Sequence, residues 1–177
     1  MTDKADKVGT AGYRVAVITL SDKGALGERE DVSGRVICEM VEEAGCTVVE
    51  QALLPDERTL LEAALRRIAD TNAADLILTT GGTGFSLRDT TPEATLAVAD
   101  RLVPGIAEAM RAASMAVTKR AMLSRAVSVI RKQTLIVNLP GSPKAVRENL
   151  SFIIDALGHG LDILTGRKGE CAAPPGN

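Results

Sequence analysis

The chain has 177 residues, the length of one ordinary domain, and its 45% hydrophobic and 25% charged content is typical of a globular protein. Its net charge is −2 and it has one tyrosine, two phenylalanines and no tryptophan, so we expect no nucleic-acid partner. We predict neither a membrane span nor a secretory signal, because long apolar runs are absent from the sequence.

Cysteine and histidine are too sparse for several kinds of site. Cys38, Cys46 and Cys171 have no CxxC spacing, which argues against a disulfide framework or a zinc–thiolate site and favours the cytoplasm. His159 is the single histidine, so the sequence argues against metal sites built from several histidines and against histidine-based catalytic triads. The chemistry must come from carboxylates, hydroxyls, backbone amides, lysine and arginine.

The pattern of apolar residues predicts alternating strands and helices. Predicted strands cover 13–20, 46–54, 75–80, 126–130 and 134–138, the last two joined as a hairpin. Predicted helices run from Asp31 or Ser33 to Ala44, over 59–71, 92–101 and 106–117, and onward from Pro143. The apolar strand runs indicate burial on both faces of the sheet.

This order predicts an α/β fold: a three-layer arrangement with a mostly parallel sheet and helices on both faces. We expect one domain over 13–165, with flexible ends at 1–12 and 166–177. Ligands of such sheets bind beyond the carboxyl ends of the strands, so the loops there are the candidate site.

The loop after strand 75–80 begins Gly81-Gly82-Thr83-Gly84. Consecutive glycines let backbone amides turn toward one point and let a ligand approach closely, while Thr83 and Ser86 add hydroxyls. A tight turn without a ligand is the alternative. The loop lacks the lysine of a P-loop and the spacing of a dinucleotide fingerprint, which disfavours a nicotinamide or flavin oxidoreductase.

Three further acidic positions follow predicted strands. Asp89 lies beside the glycine loop, where a divalent cation bridging it to phosphate would offset repulsion. Asp56 follows strand 46–54, and Ser21 and Asp22 follow strand 13–20. Each has an ordinary alternative: a surface cap for Asp89, the N-cap of helix 59–71 for Asp56, and a turn for the Ser-Asp pair.

A fourth loop, Asn138 to Lys144, contains Gly141 and Ser142 and opens the last helix with an exposed N-terminus. From Arg111 to Arg147 the chain has eight basic residues and no acidic one. A polyanionic small molecule is the functional interpretation, and a solvated basic face is the alternative.

Together these segments resemble the molybdopterin adenylyltransferase family of molybdenum-cofactor biosynthesis, which includes MogA-type enzymes, MoaB-type proteins and the gephyrin G domain. The resemblance is carried by VAVITLSD, LLPDER, DLILTTGGTGFSLRDTTPEAT and NLPGSP, and it spans about 13–165. It implies a molybdopterin-binding α/β fold that assembles as a homotrimer, with a molybdenum insertase as a further partner.

The resemblance also implies the reaction: with Mg²⁺, molybdopterin and ATP give adenylyl-molybdopterin and pyrophosphate. It assigns catalysis and metal binding to Asp89 and Asp56. The resemblance and the positions of the loops together suggest a set of binding residues. These are Ser21, Asp22, Gly81, Gly82, Thr83, Gly84, Ser86, Gly141, Ser142 and Lys144. The alternative within the family is a MoaB-like protein that binds molybdopterin without adenylylating it.

Overall fold

The computed structural model describes residues 10–167 and contains a single six-stranded sheet. The strands are β1 (Arg14–Leu20), β2 (Thr47–Leu54), β3 (Leu76–Thr80), β4 (Arg101–Leu102), β5 (Ser128–Arg131) and β6 (Thr134–Leu139). The helices are α1 (Asp22–Ala25), α2 (Val32–Glu43), α3 (Arg58–Asp70), α4 (Thr91–Ala97), α5 (Pro104–Met115) and α6 (Pro143–Thr165), with a 3-10 helix at Lys119–Leu123.

The strand order is β2-β1-β3-β6-β5-β4. β2, β1, β3 and β6 are mutually parallel, and β5 and β4 complete the sheet antiparallel to their neighbours. Alternate residues along the strands point to opposite faces of the sheet and form two apolar clusters. One cluster packs against α2, α5 and α6, and the other packs against α3 and α4. The predicted three-layer α/β fold with a mostly parallel sheet is confirmed, as is the hairpin of β5 and β6.

Burial of the strands follows their place in the sheet. Every residue of β3 and β6 is buried, because both strands lie in the centre between two helical layers. β2 alternates between exposed and partly buried residues, because it is an edge strand whose outward positions meet solvent. The prediction that all strands are buried on both faces is therefore wrong for β2.

The segment after α4 also departs from the sequence prediction. The predicted helix 92–101 ends at Ala97, and Arg101 and Leu102 form β4 instead. The reason is tertiary: the backbone N–H groups of Asp100 and Val103 donate to Ile130 and Ser128 carbonyls of β5. Sheet pairing thus replaces the last helical turn. The 3-10 helix after α5 was not predicted.

The described parts of the two predicted flexible ends lie against each other. The Arg167 guanidinium donates to the Gly12 carbonyl at 2.8 Å and lies 4.3 Å from the centre of the Tyr13 ring. Residues 1–9 and 168–177, which include Cys171, lie outside the described residues. The domain boundaries at 12 and 166 stay a prediction.

Candidate functional site

The carboxyl ends of the four parallel strands open onto one cleft of about 600 Å³. Loops after β1, β2, β3 and β6 all contribute to its walls. Seven of the predicted site residues line it: Ser21, Asp56, Gly81, Gly82, Asp89, Gly141 and Ser142.

Hydrogen bonds tie neighbouring loops together around this cleft. The Ser21 N–H donates to the Leu54 carbonyl at 2.9 Å, which joins the loops after β1 and β2. The Thr80 hydroxyl donates to the Pro140 carbonyl at 2.7 Å, and Gly141 packs on Gly81, which joins the loops after β3 and β6. The loops are therefore held in position by the sheet edge and by each other.

The glycine bend after β3 is required by close packing. Gly81 has φ +94°, and a Cβ there would lie 2.3 Å from the Leu20 carbonyl oxygen. Gly82 has φ +63°, and its Cβ would lie 2.4 Å from the Thr91 hydroxyl oxygen and 3.4 Å from Asp56 Oδ1. Both positions require glycine for two reasons: the backbone has a positive φ, and there is no space for a Cβ. At Gly81 and Gly82, therefore, the cleft is lined by main chain without side chains.

Asp56 does not cap the following helix, whose N-cap residue is Glu57 without a side-chain hydrogen bond. Instead, Asp56 and Asp22 each accept a hydrogen bond from the other's backbone N–H, both at 2.9 Å. Burial raises the pKa of Asp56, and the carboxylates of Asp22 and Asp89 raise it further. Asp56 is thus an acidic group held close to other acids at the cleft wall.

Asp22 does not line the cleft but is hydrogen-bonded to Asp56, which does. Its carboxylate accepts hydrogen bonds from the Arg88 guanidinium at 2.8 and 3.0 Å, and these bonds lower the pKa of Asp22. Arg88 also donates to Glu57 at 2.9 Å. The two carboxylates therefore have opposite electrostatic environments: Asp22 is paired with a cation and Asp56 is not.

Asp89 lies on the loop between the glycine bend and α4. Its Oδ2 accepts a hydrogen bond from the Ser86 N–H at 3.0 Å, and a Cβ on Gly84 would lie 2.9 Å from that oxygen. Ser86 thus supports Asp89 through its backbone and is itself exposed. Thr83 and Gly84 line a second cleft, of about 300 Å³, on the other side of the loop.

The loop after β6 supplies a helix N-terminus to the cleft. Ser142 is the N-cap of α6, and its hydroxyl accepts from the Ala145 N–H at 3.2 Å. Lys144 points away: it does not line the cleft, its side chain is 81% exposed, and its ammonium lies 3.8 Å from Glu148. The geometry gives Lys144 no contact with the cleft.

The sequence did not indicate the part of the cleft made by the start of α2. Asp31 caps this helix by accepting from the Gly34 N–H at 2.8 Å, and the Ser33 hydroxyl donates to the Gly141 carbonyl at 2.8 Å. Thr19 also lines the cleft, and its buried hydroxyl oxygen has no hydrogen-bond partner among residues 10–167. Asp31 and Ser33 are visible in the sequence as cap candidates, but nothing there shows that the cap faces a cleft.

The basic run does not line this cleft. None of its eight basic residues is among the lining residues, and two of them pair with acidic residues from distant segments. Arg125 pairs with Glu93, and Arg131 pairs with Asp70 at 2.7 Å. The cleft itself is lined by four carboxylates and one guanidinium: Glu30, Asp31, Asp56, Asp89 and Arg29.

The carboxylates that line the cleft could bind a hard divalent cation only if a bound substrate supplied further oxygen ligands. Within residues 10–167 no group of three or more acidic, histidine or cysteine side chains is arranged to hold a metal. Magnesium commonly takes one or two carboxylates and completes its shell with water and substrate phosphates. Asp56 and Asp89 offer oxygen donors of that kind, and Gly81 and Gly82 line the same cleft beside them.

Comparison with known proteins places the chain in a family. Residues 16–159 match the family model described as "Probable molybdopterin binding domain". The molybdopterin adenylyltransferase of Escherichia coli K12 is 44% identical over 148 residues, which cover 82% of this chain and 76% of the relative. That of Helicobacter pylori J99 is 40% identical over 154 residues, covering 86% and 88%.

The fold comparison agrees with the sequence comparison. The crystal structure of the molybdopterin biosynthesis enzyme MoaB from Thermus thermophilus superposes with a TM-score of 0.82 at 46% identity, covering 89% of this chain and 99% of that one. The motifs, the sheet topology and these matches lead to one conclusion. The chain belongs to the molybdopterin-binding domain family of molybdenum-cofactor biosynthesis.

Proposed function

We propose that this chain adenylylates molybdopterin: with Mg²⁺ it converts molybdopterin and ATP into adenylyl-molybdopterin and pyrophosphate. The observation that carries the proposal is the convergence of Asp56, Asp89 and the diglycine bend on one cleft at the carboxyl edge of the sheet. Relatives named molybdopterin adenylyltransferase, at 40–44% identity over most of the chain, support the same assignment.

The reaction needs no histidine base. The terminal phosphate of molybdopterin is anionic at neutral pH, and one of its oxygens attacks the α-phosphorus of ATP in line. A new phosphorus–oxygen bond forms as the bond from the α-phosphorus to the bridging oxygen breaks, and pyrophosphate leaves with that electron pair. Positioning and charge neutralisation then supply most of the catalysis.

The main barrier is repulsion between two anionic substrates in an acidic cleft. Two of the carboxylates that line the cleft, Asp56 and Asp89, would hold Mg²⁺, and the bound ion would neutralise phosphate charge. Gly81 and Gly82 line the same cleft, where consecutive backbone amides are suited to binding phosphate. The N-terminus of α6, capped by Ser142, presents amide groups and the positive end of the helix dipole.

A direct assay tests the proposal. Purified protein is mixed anaerobically with molybdopterin, ATP and Mg²⁺, and pyrophosphate and the adenylylated pterin are measured. We expect both products in equal amounts, and loss of both with excess chelator. Binding of molybdopterin without pyrophosphate release would refute the proposal and support the MoaB-like alternative of pterin binding alone.

We also propose a cytoplasmic homotrimer that passes its product to a molybdenum insertase, as the family resemblance implies. No helix within residues 10–167 is long and apolar enough to cross a bilayer. An apolar groove of about 430 Å³ between α5 and α6, beside exposed Phe152, offers surface that an assembly would bury. Light scattering after size-exclusion chromatography tests the trimer, and a monomer at micromolar concentration would contradict it.

A further inference from the structure

The loop that carries Asp89 is not held by burial of its own large side chains. Phe85 is 70% exposed and Leu87 is 99% exposed, so both apolar side chains of the loop tip face solvent. A loop without buried apolar anchors depends on hydrogen bonds from outside for a fixed position. The position of the Asp89 carboxylate therefore depends on what holds the loop backbone.

Arg125 holds this backbone on both sides of the exposed tip. Its backbone N–H donates to the Thr83 carbonyl at 3.0 Å, and its Nε donates to the Gly84 carbonyl at 2.7 Å. Its Nη2 donates to the carbonyl of Asp89 itself, and its Nη1 pairs with Glu93 on α4. One guanidinium thus joins the start of the loop, its end and the following helix.

Arg125 is itself fixed to the body of the fold. The carbonyls of its two neighbours, Ser124 and Ala126, accept from Arg111 Nη1 at 3.4 and 2.8 Å, which fastens the segment to α5. The Arg125 side chain is 33% exposed. A planar guanidinium is suited to this task because it offers several donors in fixed directions, whereas a lysine ammonium is a single point charge on a flexible stem.

We propose that Arg125 is a positioning residue for adenylyl transfer, which fixes Asp89 by clamping the loop carbonyls on either side of the exposed tip. The inference rests on the proposed function. It predicts that loss of the guanidinium changes the geometry of Asp89 and lowers kcat, while substrate binding by the rest of the cleft persists. Displacement of a catalytic group by about 1 Å costs up to about a hundredfold in rate.

The test compares Arg125→Lys and Arg125→Gln with the wild-type chain in the pyrophosphate assay. We expect kcat to fall about tenfold to a hundredfold in both variants, with KM for ATP and molybdopterin within about twofold. Hydrogen exchange should accelerate in a peptide covering 84–90 and stay unchanged in β1, β3 and β6. A positioning role predicts this local change, and a general loss of stability does not.

Arg14→Lys is the matched control. Arg14 also donates to a backbone carbonyl, that of Asn72 at 2.7 Å, and pairs with a carboxylate, Asp75 at 2.8 Å. Its side chain is similarly exposed, at 37%, but it lies at the amino end of β1, across the sheet from the cleft. This variant should keep wild-type kcat and wild-type exchange in 84–90.

Two further variants separate the possible failures. Glu93→Gln removes the ion pair and leaves the carbonyl bonds, so it should lose less activity than Arg125→Lys; an equal loss would overturn the carbonyl clamp. If Asp89→Asn is inactive while the Arg125 variants keep wild-type kcat, or lose activity only through KM, this inference fails and the proposed function stands. A wild-type chain that releases no pyrophosphate would overturn the proposed function itself, and this inference with it.

Discussion

Replacing Gly81 with alanine tests whether close packing, and not backbone conformation alone, requires the glycine bend. An alanine at a positive φ costs about 1–2 kcal/mol of stability. At Gly81 the added Cβ would also lie 2.3 Å from the Leu20 carbonyl oxygen, a backbone atom that cannot move without disturbing β1. Such overpacking costs about 1–3 kcal/mol more, so we expect a total loss of about 2–5 kcal/mol.

Two other glycines provide matched controls. Gly27 also has a positive φ, +75°, but a Cβ there would meet no atom of residues 10–167 within 4 Å. Gly27→Ala should therefore lose only about 1–2 kcal/mol of stability. Gly160 lies inside α6, and a Cβ added there would meet no other part of residues 10–167 within 4 Å, so Gly160→Ala should be more stable than wild type by about 0.5–1 kcal/mol.

Urea unfolding followed by circular dichroism, at one protein concentration, gives the three free energies of unfolding. Heating gives a second readout, at about 2–4 °C of Tm per kcal/mol for a chain of this size. The reasoning would be refuted if Gly81→Ala and Gly27→Ala lost the same free energy within about 0.5 kcal/mol, since the Leu20 carbonyl would then impose no constraint of its own.

Three further substitutions give distinct expected outcomes. Asp89→Asn should lower kcat by about a hundredfold or more while equilibrium dialysis shows molybdopterin still bound; turnover near wild type would remove Asp89 from the mechanism. Asp56→Asn should be more stable than wild type at pH 7, because the raised pKa of Asp56 means that its charged form opposes folding. That gain appears as pH rises from the unfolded pKa, about 3.9, through the raised folded pKa, and denaturation at pH 3 should show none of it. Tyr13→Phe should lose about 1–2 kcal/mol of stability, because it removes the buried hydroxyl that donates to Asp162. The loss should be constant from pH 6 to 9, because the pKa of Tyr13 is raised to about 12. A loss of stability that varies over this pH range would contradict the prediction.

The success of the sequence predictions depends on how local the signal is. The run LILTT in β3 and the proline-started helix α6 have local signals, an apolar run and a cap, that need no tertiary partner. β4 has no such signal: its two residues become a strand only because β5 lies beside them. The same holds for the basic run, where Arg125 and Arg131 find acidic partners in segments distant in sequence.

The candidate site divides in the same way. The residues Asp56, Gly81 and Asp89 are recognisable in sequence because parallel strands bring their carboxyl ends to one edge, so loops after such strands meet. That rule does not specify which way a side chain points. Lys144 faces away from the cleft and Thr83 faces the second cleft, because helix rotation and loop packing set their directions.

The sequence alone thus determined the layers, the order of the elements and the loops that carry the chemistry, because strand burial and helix capping are encoded in residues close together along the chain. Only the tertiary structure decided that Asp22 pairs with Arg88 while Asp56 has no ion pair within residues 10–167, and that Arg125 holds the loop of Asp89. The Asp22–Arg88 and Asp89–Arg125 contacts join residues 66 and 36 positions apart, and their geometry is fixed by how the sheet edge and its loops pack.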